Sequence, residues 1–178
     1  MKIKTILSLL STTAIIGFAS AGYAADDSVK TKFKGSDNGG YEASSSAEHT
    51  TKAGTTIKSD KEVDVDIDDD GTVTKKTTSE SKTDAKGLMN TKKNVTEVET
   101  KKKADGDYTR DTTTKHVNDD GTNVSTDAET AVDVKDNGDV ETKTTIEKKV
   151  DPKGLFNSTK EKSEIKMING KVVEKKID

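Results

Sequence analysis

The chain has 178 residues, 35% of them charged and 3% aromatic, with no cysteine and a formal net charge of −3. The missing cysteine excludes disulfides, thiolate metal sites and lipid attachment at an N-terminal cysteine. Lysines and carboxylates are nearly balanced and spread along the chain, and Arg110 is the only arginine, so the composition argues against a nucleic-acid partner.

Residues 1–24 read as a secretory signal peptide. Lys2 and Lys4 form a basic start, Ile6 to Phe18 a short apolar run, and small residues lead to Ala21 and Ala24, ahead of Asp26 and Asp27. Cleavage after Ala24 is favoured over Ala21, and the expected location is periplasmic or secreted. The apolar run is about a dozen residues, short of the roughly 20 a helix needs to cross a bilayer, so the chain is expected not to be membrane-spanning.

Residues 25–60 read as a disordered polar tail. Glycines, the Ser44-Ser45-Ser46 run and scattered Lys and Asp leave Val29, Phe33, Tyr41 and Ile57 as the sizeable apolar groups, too little surface to offset ordering entropy. One short extended piece is expected near Thr55–Lys58.

From residue 61 the pattern becomes regular. Glycines stand at 71, 87, 106, 121, 138, 154 and 170, mostly within Asp-Gly or Asn-Gly pairs that supply the positive φ of hairpin turns. Between them lie segments of alternating character. Val63, Val65 and Ile67 alternate with Asp64, Asp66 and Asp68. Val124, Thr126, Ala128, Thr130, Val132 and Val134 share one parity, as do Val140, Thr142, Thr144, Ile146 and Val150. Period two with β-branched residues is the strand signature. A helix over Lys92–Lys103 is the weaker reading, because Thr91, Thr96 and Thr100 disfavour it.

The stretch 62–98 matches 129–165 without a gap at 18 of 37 positions, including Asp84-Ala85-Lys86-Gly87-Leu88-Met89-Asn90 against Asp151-Pro152-Lys153-Gly154-Leu155-Phe156-Asn157. A duplication of this kind marks an array of one supersecondary unit. The predicted fold is an all-β, antiparallel up-and-down meander of about eight long strands, forming a curled single sheet or a narrow soluble barrel. The repeat domain spans 61–178, and the apolar pairs Leu88-Met89 and Leu155-Phe156 are expected to cover one end. A transmembrane barrel is disfavoured, since Tyr108 and Phe156 are the only aromatics after residue 60 and the girdles of such barrels are missing.

Chemistry is sparse. Asp66, Asp68 and Asp70, followed by Gly71, match the opening of a calcium loop, although the twelfth position is Thr77 rather than Glu. A hairpin turn with solvated acids is the preferred reading, and apart from this candidate Ca²⁺ site no cofactor is expected. His49 and His116 have no nucleophile or carboxylate at a recognisable spacing, and the glycines are too isolated for a phosphate loop. Thr72, Thr74, Thr142 and Thr144 invite a carbohydrate- or ice-contacting face, but threonine is simply a good strand former, and that is the preferred reading.

The function expected is an exported, non-enzymatic structural or surface-interaction protein presenting a charged, Thr-rich sheet to a protein or cell-surface component. A Ca²⁺-binding protein using Asp64–Asp70 and a largely disordered soluble exported chain are the alternatives.

Overall fold

The computed structural model describes residues 26–87, 91–154 and 157–178. The expected signal peptide lies outside the described residues, as do the apolar pairs Leu88-Met89 and Leu155-Phe156. Ten strands follow one another: β1 (Asp26–Gly35), β2 (Tyr41–Thr50), β3 (Thr56–Ile67), β4 (Val73–Asp84), β5 (Thr91–Lys102), β6 (Tyr108–Val117), β7 (Asn123–Val134), β8 (Val140–Asp151), β9 (Thr159–Ile168) and β10 (Lys171–Ile177). Each pairs antiparallel with the next in a single sheet ordered β1 to β10. The antiparallel meander expected from period two and the turn glycines is what the structure shows.

The turns explain the regular glycines. At Gly71 the Gly N–H donates to the Asp68 carbonyl (2.9 Å), Asp68 N–H donates to Thr72 O (2.9 Å), and the glycine takes φ +82°. This is a four-residue turn with a glycine bulge, a geometry an L side chain resists. The same pair of backbone bonds recurs at Ser36–Gly40, Thr51–Thr55, Lys103–Asp107, Asn118–Thr122 and Lys135–Asp139. In five of the six, an Asp or Asn just before the glycine accepts the backbone N–H just after it. Asn38 Oδ1 takes Gly40 N (3.1 Å), Asp70 takes Thr72 (2.8 Å), Asp105 takes Asp107 (3.0 Å), Asp120 takes Thr122 (2.8 Å) and Asn137 takes Asp139 (3.0 Å). The sixth has Ala53 there, and Thr51 Oγ1 accepts from Thr55 N instead (3.1 Å).

The strands begin earlier than composition suggests. β1 and β2 occupy 26–50 and β3 starts at Thr56, inside the segment expected to be a tail, so the sheet has ten strands rather than about eight. The pairing is full length, from Asp26↔Thr50 to Gly35↔Tyr41, and the Phe33 and Tyr41 rings stack at 5.6 Å. Such small and polar strands lack a strong local signal. They are ordered by their partners, Ser44 opposite Glu62 and Ala43 opposite Val63 on the more apolar β3.

An offset of 67 residues relates β1–β4 to β5–β8. It carries the turn glycines 39, 54, 71 and 87 onto 106, 121, 138 and 154, so the duplication spans four strands. Lys86 and Lys153 of the matched turns acquire a packing role. A Cβ placed on Gly54 would meet Lys86 Cδ at 3.1 Å, and one on Gly121 would meet Lys153 Cδ at 3.0 Å. Each lysine stem lies across the glycine of the neighbouring turn.

The sheet is open, which sets aside the narrow barrel: β1 and β10 each have one partner, and contacts between strands run only between chain neighbours. Both edges carry features that oppose further pairing. β1 presents Lys30, Lys32 and Lys34. β10 has seven residues, a register shift between Val172 and Glu174, and Lys171, Lys175 and Lys176. Among the described residues Ala47 is the only buried apolar side chain, and Ser59, opposite it, and Thr72, in its turn, are the buried polar ones. Stability therefore rests on half-buried cross-strand pairs rather than on a closed core.

Candidate functional site

Register divides the side chains between two unlike faces. Residues directly opposite in an antiparallel pair point to the same side, so a row can be followed across the sheet. One such row reads Phe33, Ala43, Val63, Thr77, Val98, Thr112, Ala128, Ile146, Ser163, Ile177. Two residues along the strands, the next reads Tyr41, Val65, Lys75, Thr100, Arg110, Thr130, Thr144, Ile165, Lys175. The row after that carries Ile67, Val73, Lys102, Tyr108, Val132, Thr142 and Met167. On the other side of the Phe33 row lie Thr31, Ser45, Lys61, Ser79, Thr96, Thr114 and Thr126. This apolar face is a surface of aliphatic groups and hydroxyls, with Thr130 and Thr144 in hydroxyl contact at 3.3 Å.

On the opposite, charged face several ions pair across strands. Lys58 reaches Glu48 (3.0 Å), Lys93 reaches Glu80 (2.9 Å), Lys143 reaches Glu164 (3.2 Å), Lys160 reaches Glu147 (2.8 Å) and Lys166 reaches Glu141 (2.8 Å). These are cross-strand neighbours, directly opposite or one diagonal step away, as alternating Lys/Glu strands require. An open depression on this face is lined by Lys32, Lys34, Glu42, Ser44, Glu62 and Asp64. It is a shallow charged dip rather than the enclosed apolar cleft typical of small-molecule sites.

Within the strands of the apolar face, described side chains include seven cations and one carboxylate. Lys61, Lys75, Lys92, Lys102, Arg110, Lys148 and Lys175 stand against Glu161. Lys92 reaches Asp119 of a turn (3.3 Å), and Lys148 is opposite Glu161 in register. Lys61, Lys75, Lys102, Arg110 and Lys175 have no ion pair among the described residues. Three of these form a cluster. Lys75 and Arg110 flank Thr100 on adjacent strands, and Lys102 stands one row further on between Val73 and Tyr108. Lys102 and Arg110 are exposed and Lys75 is half-buried.

The sequence signal for this cluster was present but subtle: each cation sits on the apolar parity of its strand, Lys75 with Val73 and Thr77, Lys102 with Val98 and Thr100, Arg110 with Tyr108 and Thr112. The singled-out threonines divide: Thr142 and Thr144 lie on the apolar face, Thr74 on the charged face opposite Asp66, and Thr72 is buried in its turn.

The three aspartates of the candidate Ca²⁺ site are engaged separately. Asp66 Oδ1 accepts from Asn38 Nδ2 (3.0 Å) and from Ile67 N (3.0 Å). Asp68 contributes its backbone to the turn, and Asp70 caps Thr72. Those bonds from the Thr72 backbone and hydroxyl hold the Asp70 carboxyl below its ordinary value. Asp120 is lowered in the same way by Thr122. Among the described residues no three carboxylate, histidine or cysteine groups are placed to hold a metal ion.

His49 and His116 fall 67 residues apart, at equivalent positions on β2 and β6. His116 lies between Asn94 and Asn118, in contact with both side-chain oxygens through its two ring nitrogens. Asn94 is also its register partner, and the corresponding partner of His49 is Asp27. The two histidines are repeated polar positions of the array.

No protein-family model, curated protein or solved structure matches the chain. No helix among the described residues is long and apolar enough to cross a membrane.

Proposed function

We propose that this chain is an exported, non-enzymatic structural or surface-interaction protein that meets a cell-surface component through its Thr-rich sheet face. The observation carrying this reading is the uncovered apolar face: a ten-stranded layer with aliphatic and hydroxyl rows on one side and nothing packed against it among the described residues. Domains ordinarily bury such a face against a second layer, so a face left open is suited to an external partner. Export is supported by the basic, apolar and small-residue order of residues 1–24.

Cell fractionation with mass measurement of the mature chain tests the first half of this reading. The expected product begins at Ala25 and is found outside the cytoplasm. Sedimentation of the purified chain with cell-envelope fragments tests the second half, with co-sedimentation expected. An unprocessed cytoplasmic chain, or one with no affinity for envelope material, overturns the reading.

A further inference from the structure

We infer that the apolar face is a docking surface for an acidic polysaccharide, with Lys75, Lys102 and Arg110 as the anchors for its carboxylates. The inference rests on the surface-interaction reading above and names the chemistry of the partner.

Charge selects the partner. On the charged face six strand lysines, Lys34, Lys58, Lys93, Lys143, Lys160 and Lys166, reach a glutamate on the next strand. On the apolar face Lys75, Lys102 and Arg110 surround Thr100 with no carboxylate in ion-pair reach among the described residues. Clustered cations without counter-charges repel one another and attract an anion from outside. A second copy is a poor occupant: apposing two such faces brings cation against cation, and apposing this face to the charged face of another copy desolvates ions that are already paired.

The surroundings select among anionic partners. Strands are about 4.8 Å apart and successive rows about 7 Å apart, so Thr96, Thr114 and Thr126 on three adjacent strands form one hydroxyl row. Thr100, Thr130 and Thr144 form another, interrupted by Arg110. Hydroxyls both donate and accept, which matches the hydroxyls of a sugar chain. Arg110 offers a planar fork for a carboxylate, and the lysines add point charges. The aromatic side chain beside the cluster is Tyr108, whereas stacking platforms for single-stranded nucleic acid use several aromatics. The bulky, strongly exposed apolar groups sit away from it on the edge strands, Phe33 at 69% and Ile177 at 68% exposure, so the centre of the face lacks the large wedge that inserts into lipid.

The test is titration of the exported, purified chain with polygalacturonate, with neutral dextran, phosphatidylglycerol vesicles and duplex DNA as comparisons. Two triple variants are compared, Lys75→Gln/Lys102→Gln/Arg110→Gln on the apolar face and Lys143→Gln/Lys160→Gln/Lys166→Gln on the charged face. Circular dichroism confirms that both keep the strand spectrum. Polygalacturonate is expected to bind and dextran not to. The apolar-face triple is expected to weaken binding by roughly tenfold or more, with a shallower salt dependence, and the charged-face triple to change it less than about twofold. Absence of polygalacturonate binding overturns the inference, as does equal loss in both triples or tighter binding to vesicles or DNA. A chain that still sediments with envelope fragments but ignores polygalacturonate overturns this inference alone and leaves the surface-interaction reading standing.

Discussion

On the charged face Lys143, Lys160 and Lys166 each reach a glutamate of the adjacent strand, while on the apolar face Lys75, Lys102 and Arg110 reach none. The same strands and the same residue types thus produce one side that carries cross-strand ion pairs and another whose central cations have none among the described residues. Alternation puts most Lys and Glu residues of β8 and β9 on one side, where several of them meet, and leaves Lys148 and Glu161 opposite each other on the other. The central cations of that other side meet valine, threonine and tyrosine. In a single layer with almost no buried apolar group, this division does the work that inside and outside do in a globular domain.

The comparison is sharpest where one strand supplies both faces. In β5, Val98 lies between Thr77 and Thr112, and Val95 lies between Glu80 and Lys115. Val98→Gln is expected to lower stability by about 1–2 kcal/mol, because a half-buried β-branched side chain leaves a row of methyl groups. Val95→Gln, at an equally half-buried position, is expected to stay within about 0.5 kcal/mol, since its direct neighbours are the charged Glu80 and Lys115 rather than methyl groups. Thermal unfolding of the two variants measures the difference, and equal losses would mean that the two faces contribute alike.

A smaller effect is expected from the paired ions. A double-mutant cycle on Lys160→Gln and Glu147→Gln should give a coupling of about 0.2–1 kcal/mol that fades in high salt. A larger, salt-insensitive coupling would show that the charged face is held more rigidly than a solvated surface.

The smallest effect is a pH dependence that belongs to neither face but to the turns. Asp70 and Asp120 have folded pKa values below the ordinary 3.8, chiefly because the backbone N–H groups of Thr72 and Thr122 donate to them. A lowered folded value means that their stabilisation is fully present above the unfolded value and is lost as pH falls through the folded one. Stability should therefore decline below about pH 4. Asp120→Asn keeps the acceptor without the titration, so its unfolding midpoint should fall less steeply with acid. An unchanged slope would assign the acid sensitivity elsewhere.

Much of this architecture is legible residue by residue. Val63, Val65 and Ile67 announce β3, and Asp70-Gly71, Asp120-Gly121 and Asn137-Gly138 announce their turns, because period two and positive φ are local requirements. β1 and β2 are less legible: Ser44-Ser45-Ser46 carries no strand signal, and these residues are held by partners opposite them on β1 and β3. The Asp66–Asp70 cluster reads as a metal loop because spacing alone does not show that Asp66 turns to Asn38 while Asp70 caps Thr72.

From residue 61 on, the meander, its duplication and the face of the alternating segments are written in the sequence, since alternation and turn glycines act within a few residues. That the sheet stays open is a property of the assembled fold, because closure depends on whether two strands at opposite ends of the chain meet. The assembled fold also decided which cations become neighbours. Lys75, Lys102 and Arg110 are distant in sequence, and the register of two successive hairpins sets them around Thr100. A slip of one residue in either pairing would turn the cluster's members to opposite faces.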